Sequence, residues 1–154
     1  MDPFRYPIEV LLPHDHPMIL IDGLVGITDS SATAKVTLTE DCLLLDGTGK
    51  VSSSIAIEWM AQTIAAHAGY KACEEGRPVQ LGFLLGTRRF RSTRGTFNAL
   101  EQFTVDVEQL YLEDGMAAFS CAVTQNGEPV VNATVNTYQP NEEQLKEVIG
   151  DKSE

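Results

Sequence analysis

Glu58 is the residue of this sequence whose type and setting best suit acid–base chemistry. It stands in an otherwise apolar segment rich in alanine, so its carboxyl group is expected to be partly buried. Burial favours the neutral form of a carboxylic acid, which is the form that can donate a proton. Gln62 follows one helical turn later, where its amide can orient the carboxyl group through a hydrogen bond. The alternative for Glu58 is structural, as a carboxylate that pairs with an arginine or caps neighbouring backbone.

The three histidines are the candidates for a general base, since imidazole titrates near neutral pH. We take His14 as the candidate base. Its alternative role is a hydrogen bond to the backbone where a short first helix passes into the first strand. We expect His16 and His67 to be structural, and His67 in particular to be a hydrogen-bonded histidine within an alanine-rich helix.

The cysteines and the overall charge disfavour other kinds of chemistry. Cys42, Cys73 and Cys121 are widely spaced and odd in number, which predicts free thiols and no metal site. The formal net charge of −11 over 154 residues disfavours nucleic acid, because binding the phosphate backbone needs surplus Lys and Arg. No apolar run approaches the roughly 18 residues of a membrane span, and the N-terminus lacks a secretory pattern. We therefore expect a cytoplasmic protein with no nucleic-acid or membrane partner.

One long helix must position the candidate residues. Residues 55–72 contain no proline and are apolar on nearly every side, which is typical of a helix buried inside a domain. Serines 52–54 can cap its start, and Gly76 followed by Pro78 ends it. Alternating or β-rich segments predict strands at 18–27, bent at Asp22-Gly23, and at 32–39, 79–90, 96–112, 116–124 and 128–138.

This order of elements predicts an α+β domain over residues 1–140, followed by a charged tail at 141–154. The long strands after the helix are separated by turn signals, of which Asn126-Gly127 is the strongest. Strands on both sides of one buried helix favour a curved antiparallel sheet wrapped around that helix. Such an arrangement is the hot-dog fold.

Two motifs resemble those of bacterial 3-hydroxyacyl-carrier-protein dehydratases. Leu12 to Asp22, LPHDHPMILID, is similar to the entry motif of that family, and Ile57 to Gln62, IEWMAQ, resembles its central helix. Ala65 to Gly69 and Gly82 to Arg89 are similar to a narrower subfamily, tied to aryl polyene pigment clusters. The resemblance covers most of the chain and implies the hot-dog fold.

The resemblance also implies a reaction and partners. Family members remove water from a 3-hydroxyacyl thioester to give the 2-enoyl product, with a histidine as base at C2 and a carboxylic acid that protonates the departing hydroxyl. The substrate is carried on the phosphopantetheine of an acyl carrier protein, and no further cofactor is expected. The fold implies a homodimer or heterodimer whose sites use residues of both chains.

The sequence departs from the family at the catalytic histidine. Relatives carry it in Gly-His-Phe-Pro-Gly, fourteen residues before the glutamate, and that position here is Leu44. The surrounding stretch, Asp41 to Gly47, contains neither His nor Pro. The family pattern therefore transfers to Glu58 and Gln62 but not to the base. Two alternatives to a self-sufficient dehydratase follow, namely a catalytically weak subunit that pairs with an active one, and a thioesterase.

The remaining candidates are contacts to the substrate and the carrier protein. Gln62, Trp59 and Phe83 are predicted to bind substrate, although Trp59 suits the core equally well. Four arginines fall within seven positions of this acidic chain, and a basic rim would steer an acidic carrier protein. We predict carrier-protein contacts at Arg88, Arg89 and Arg91. Simple alternation along a strand would place Arg89 and Arg91 on one face and Arg88 on the other.

Overall fold

The computed structural model describes residues 1–13, 18–80 and 82–140. The predicted charged tail, 141–154, and the candidate base His14 lie outside the described residues. The described helices and strands are, in chain order, α1 (Ile8–Leu11), β1 (Gly23–Ile27), β2 (Ser31–Thr37), β3 (Lys50–Ser52), α2 (Ile55–Glu74), β4 (Phe83–Ser92), β5 (Thr96–Asn98), β6 (Gln102–Glu113), β7 (Met116–Gln125) and β8 (Glu128–Tyr138).

The described residues form one main antiparallel sheet that packs against α2. Its six strands follow the order β1-β2-β6-β7-β8-β4, so β1 and β4 are the two edges. The 20-residue α2 contacts β1, β2, β6, β7 and β8, and it is buried on most of its surface. A helix without a polar stripe can be accommodated only in the interior of a domain. The predicted hot-dog arrangement is therefore confirmed.

The turns between the last strands confirm the hairpin signals of the sequence. Asn126 and Gly127 both adopt positive φ, 52° and 79°, as does the pair Asp114 and Gly115, at 52° and 82°. Two consecutive residues at positive φ form the turn whose twist matches that of paired antiparallel strands. These turns set the register of β6, β7 and β8, which carry the centre of the sheet.

The predicted strand at 96–112 is wrong in one respect, because it is broken in two. Leu100 adopts a φ of 74°, and the chain changes sheets there. The segment before the break, β5, pairs with β3 in a separate two-stranded sheet, whereas β6 joins the main sheet. The carboxylate of Glu101 accepts a hydrogen bond from the Asn98 backbone N–H at 2.6 Å and binds Arg94, which stabilises the corner.

Glu101 makes stability depend on pH. Two hydrogen bonds from the Arg94 guanidinium, at 2.7 and 2.8 Å, are the main cause that lowers the pKa of Glu101 from 4.5 to about 2. A carboxylate whose pKa is lower in the folded state than in the unfolded state stabilises the fold fully at pH values above the unfolded-state pKa. This contribution is lost as the pH falls through the folded-state pKa. We expect wild type to exceed Glu101→Gln in stability at neutral pH, and the difference to shrink below about pH 5. Urea denaturation across this range tests it, and a pH-independent difference would contradict it.

A close helix contact gives a second stability prediction. A Cβ added at Gly69 would lie 2.2 Å from the backbone oxygen of Leu11, so α1 packs directly on the glycine of α2. We expect Gly69→Ala to destabilise the protein by about 1–3 kcal/mol, the usual cost of overpacking, despite the better helix propensity of alanine. The control is Gly23→Ala, where an added Cβ meets nothing within 4 Å. Thermal or urea unfolding compares the two variants, and equal stabilities would refute the prediction.

Two further predictions can be compared with the structure. All three cysteines are free, as expected, with Cys121 buried and Cys42 and Cys73 half-buried. Among the described residues, no helix is long and apolar enough to cross a membrane.

Candidate active site

Glu58 lies in the first turn of α2 at the wall of a cavity of about 220 Å³. Its side chain is half-buried between the helix and the ends of β4 and β8. Small and apolar side chains of the helix form one wall, and the rest of the described lining combines apolar side chains with amides and two hydroxyls. Besides Glu58, the described lining residues are Ala61, Gln62, Ile64, Ala65, Ala68, Gln80, Gly82, Phe83, Leu84, Thr137, Tyr138 and Gln139. Glu58 is the only acidic group among these described lining residues. The cavity thus brings together Glu58, Gln62 and Phe83, three of the predicted site residues.

Gln62 is buried and uses both ends of its amide. Its Oε1 accepts a hydrogen bond from the Leu20 backbone N–H at 2.8 Å, and its Nε2 donates to the Met18 carbonyl oxygen at 2.7 Å. The same Nε2 donates to Oε1 of Glu58 at 3.2 Å, which is the bond expected from the sequence. Gln62 therefore ties the chain at Met18–Leu20 to the carboxyl group and restricts the position of Glu58.

One side of the cavity opens at a free sheet edge. Phe83 and Leu84 begin β4, which among the described strands pairs only with β8, and both line the cavity. Phe83, Leu84 and Leu85 are exposed by 42%, 44% and 52%, which is high for consecutive large apolar residues. An edge strand with unpaired backbone groups and exposed apolar side chains is suited to bind another chain.

No histidine stands among the described residues that line the Glu58 cavity. His14 and His16 lie outside the described residues. His67 is buried in α2, lines a neighbouring cavity of about 280 Å³ and has its Nε2 3.0 Å from the Thr28 carbonyl oxygen. Burial lowers the pKa of His67, so it is neutral at physiological pH. The structural role predicted for His67 agrees with this contact.

Trp59 does not line the Glu58 cavity and lies in the aromatic core, which is the alternative that the sequence left open for it. It is 1% exposed, stacks on Phe97 with ring centroids 5.5 Å apart and contacts Phe103 at 5.1 Å. It also borders a different cavity, of about 380 Å³, together with residues 37–39 and 41–43. Adjacent helical residues point about 100° apart, so Glu58 and Trp59 reach different sides of α2.

The predicted faces of the arginines are wrong, because β4 is bulged. Arg89 adopts a φ of 55°, and the register with β8 shifts between Arg88 and Arg91. Arg88 pairs with Thr134 and Arg91 with Asn132, two positions apart on β8, so both arginines point to the same face. This is the outer face of the sheet, since the intervening Ala133 is buried in the core.

The fold and the site define a class of protein. A curved antiparallel sheet around one buried helix, with a carboxyl group of that helix at a cavity, is the hot-dog arrangement of dehydratases and thioesterases. Among solved structures, a hypothetical thioesterase with coenzyme A from Streptococcus pneumoniae TIGR4 shares this fold at 11% identity, with a TM-score of 0.59 over 77% of this chain and 84% of that chain. The E. coli PaaI protein of phenylacetic acid degradation also shares it, at 9% identity with a TM-score of 0.58 over 75% and 80%.

One solved structure is considerably more similar. A chain of the dehydratase heterocomplex ApeI:P from Xenorhabdus doucetiae is 29% identical, with a TM-score of 0.87 over 94% of this chain and 99% of that chain. The model of the ApeP-like dehydratase family matches residues 6–149. The chain belongs to the ApeP-like dehydratase family. No curated protein sequence matches it significantly.

Proposed function

We propose that this chain is a subunit of a 3-hydroxyacyl-carrier-protein dehydratase in which Glu58 is the general acid. The observation that carries this proposal is the Glu58–Gln62 pair at the wall of an open cavity, in a member of the ApeP-like dehydratase family. The reaction removes water from a 3-hydroxyacyl thioester and leaves a double bond between C2 and C3. We expect it to serve an aryl polyene or fatty-acid-like pathway in the cytoplasm.

In this mechanism two proton transfers balance. A base takes a proton from C2, which the thioester carbonyl acidifies, and the C–H electron pair forms the new double bond. The C3–O bond breaks, and protonated Glu58 gives its proton to the departing hydroxyl, which leaves as water. The reaction needs no cofactor beyond the phosphopantetheine that carries the substrate. Gln62 positions the carboxyl group, and Phe83 contacts the acyl chain.

Two sources of the base are consistent with the sequence and the cavity. His14 is the candidate within this chain, and Met18, four residues later, is bonded to Gln62 beside Glu58. The second source is a partner subunit that reaches the cavity across its open side. Activity of a His14→Ala variant within the complex separates them, because retained activity assigns the base to the partner.

We propose a second hot-dog subunit as that partner, seated on β4. The similar ApeI:P is a heterocomplex, and in this chain the exposed start of β4 borders the Glu58 cavity. A strand added at this edge would pair with the free backbone groups of β4 and close the open side of the cavity.

This interface predicts a position-specific mutational effect. Leu85→Glu places a charge in the apolar part of β4, and we expect it to weaken subunit association by about tenfold or more, because burying an unpaired charge is costly. The matched control is Val25→Glu at the opposite sheet edge, where the side chain is 42% exposed. Co-purification and isothermal titration calorimetry measure the effect, and equal weakening by both variants would contradict this location.

An acyl carrier protein is the proposed donor of the substrate. Carrier proteins are acidic, and the arginines of β4 form a basic edge in a chain whose net charge is −11. Arg89 is exposed at the bulge and is the main candidate, since Arg88 and Arg91 point to the outer face, away from α2. Arg94 is excluded from this role by its ion pair with Glu101.

The function is tested with a 3-hydroxyacyl-carrier-protein and mass spectrometry. The chain is assayed alone and together with the second hot-dog dehydratase subunit. A product lighter by one water establishes dehydration, and activity only in the complex establishes a two-subunit site. Release of the free acid would identify a thioesterase instead, and no product in either case would refute the proposal.

A further inference from the structure

The outer face of the sheet, which points away from α2, carries charges in an ordered pattern. Alternation along β6 buries Val105 and Val107 and exposes Asp106 and Glu108 on this face. The bulge in β4 places Arg88 and Arg91 on the same face, at the edge of the sheet. Acidic and basic residues thus stand on different strands of one surface.

The register of the strands aligns these charges in two rows. Each row has an acidic residue on β6, small or polar side chains on β7 and β8, and an arginine on β4. The rows are Glu108–Ser120–Thr134–Arg88 and Asp106–Ala122–Asn132–Arg91. Three strand spacings separate the two ends of a row, about 14 Å, so the acid and the base of one row cannot pair within the chain.

The charges at the ends of the rows are available for an external partner. Within the described residues, none of these four side chains forms an ion pair. Asp106 accepts one hydrogen bond from the Thr33 hydroxyl at 2.6 Å, which leaves its charge uncompensated. All four residues are exposed.

We propose that the outer face binds a second copy of this chain, with the two sheets back to back. A two-fold axis parallel to the strands, between β7 and β8, exchanges β7 with β8 and β4 with β6. Each row then lies opposite the same row of the second copy, with its residues in the reverse order. Arg88 therefore faces Glu108 of the second copy, and Arg91 faces Asp106 of the second copy. A contact of this symmetry uses the same surface on both subunits, which the pattern of charges satisfies.

The size of the side chains agrees with this packing. Face-to-face sheets lie about 10 Å apart with strands within about 30° of each other. Ser120 and Ala122 are small and lie at the centre of the contact, so the sheets can approach, while the long arginines at the edges can span the gap. The Glu58 cavity lies on the opposite side of the sheet and stays uncovered. The contact therefore exists independently of the proposed dehydratase activity.

Charge reversal tests the proposal by sedimentation velocity of the full chain. One variant combines Arg88→Glu with Arg91→Glu, and the other combines Asp106→Arg with Glu108→Arg. In each variant, residues of the same charge face each other across the contact between the two copies. We expect self-association to be about a hundredfold weaker, since the juxtaposition of like charges is costly. Mixing the two variants restores association, because both sets of pairs then have opposite signs. The control is Lys35→Glu, exposed on the outer face but outside both rows, which leaves association unchanged.

Several outcomes would overturn the proposal. A wild-type chain that stays monomeric at all concentrations, a dimer that the reversals leave intact, or a mixture that does not reassociate would each do so. Reduced carrier-protein binding with unchanged self-association would assign Arg88 and Arg91 to the carrier protein instead. Circular dichroism and thermal melting show that each variant is folded. Dehydration by the complex is measured in parallel for the variant with Asp106→Arg and Glu108→Arg, which keeps the arginines of β4, and is expected to be unchanged, so a failure of this contact is separate from a failure of the proposed function.

Discussion

We expect Glu58→Gln to lower the rate of dehydration by about 10²–10⁴-fold, the range that a positioned general acid contributes. The amide has the size of the carboxyl group and can still accept the hydrogen bond from Gln62 at 3.2 Å. It cannot transfer a proton to the departing hydroxyl, so the loss falls on the chemical step. The measurement is the rate of 2-enoyl formation by the variant in complex with the second subunit, with the substrate on its carrier protein.

The control for this prediction is on the same helix. Glu74 ends α2, and its carboxylate pairs with Arg5 at the surface. Glu74→Gln removes one carboxylate from α2 without touching the cavity, and we expect its activity to equal that of wild type. We also expect Glu58→Gln to change kcat far more than KM, since the carboxyl group acts in the transition state. A fully active Glu58→Gln variant would show that another group is the general acid and would contradict the assignment of the Glu58 cavity as the active site.

The second large effect is expected at Gln62. Gln62→Leu leaves the Leu20 backbone N–H without its acceptor and releases Glu58 from its only side-chain hydrogen bond among the described residues. We expect a loss of about 1–3 kcal/mol in unfolding free energy, the cost of a buried unsatisfied group. We also expect activity to fall by about 10–100-fold, because a small misplacement of a catalytic group has effects of this size.

Two further variants distinguish positioning from general destabilisation. Thr63→Val removes a buried hydroxyl whose one hydrogen bond among the described residues goes to the Trp59 carbonyl oxygen of its own helix, at 2.7 Å, so we expect stability to change little and activity not at all. Gln62→Glu keeps an acceptor for Leu20 but loses both donated bonds and places a second carboxyl group beside Glu58, so we expect it to lose activity as Gln62→Leu does. Equal activity in Gln62→Leu and Thr63→Val would show that Gln62 does not position Glu58.

Local sequence patterns were sufficient for the helix and the turns. Residues 55–72 were predicted as a buried helix because they lack a polar face, and α2 runs over Ile55–Glu74. Asn126-Gly127 was predicted as a hairpin turn because few residue pairs adopt positive φ easily, and both do so. These features depend on residues adjacent in the chain or one helical turn apart, which is why they can be read without tertiary contacts.

The breaks within strands could not be predicted in this way. The interruption at Leu100 is stabilised by the ion pair between Arg94 and Glu101. The segment before β1 is held in place by a hydrogen bond from the Leu20 backbone N–H to Gln62, which is 42 residues further along the chain. The bulge at Arg89 carries no glycine that would signal it, and it reverses the face expected for an arginine. Each is decided by a contact between separate segments of the chain or by the register with a neighbouring strand.

By itself, the sequence determined the central helix and, through the order of the helix and the strands, the hot-dog fold. It also determined the contact between Glu58 and Gln62, because the 3.6-residue period of a helix makes residues four positions apart neighbours. Only the tertiary structure decided that Glu58 and Phe83 share a cavity, that Trp59 belongs to an aromatic cluster away from it, and that Arg88 and Arg91 share the outer face. The physical reason is that these relations are set by strand register and by contacts between distant segments, neither of which a local pattern contains.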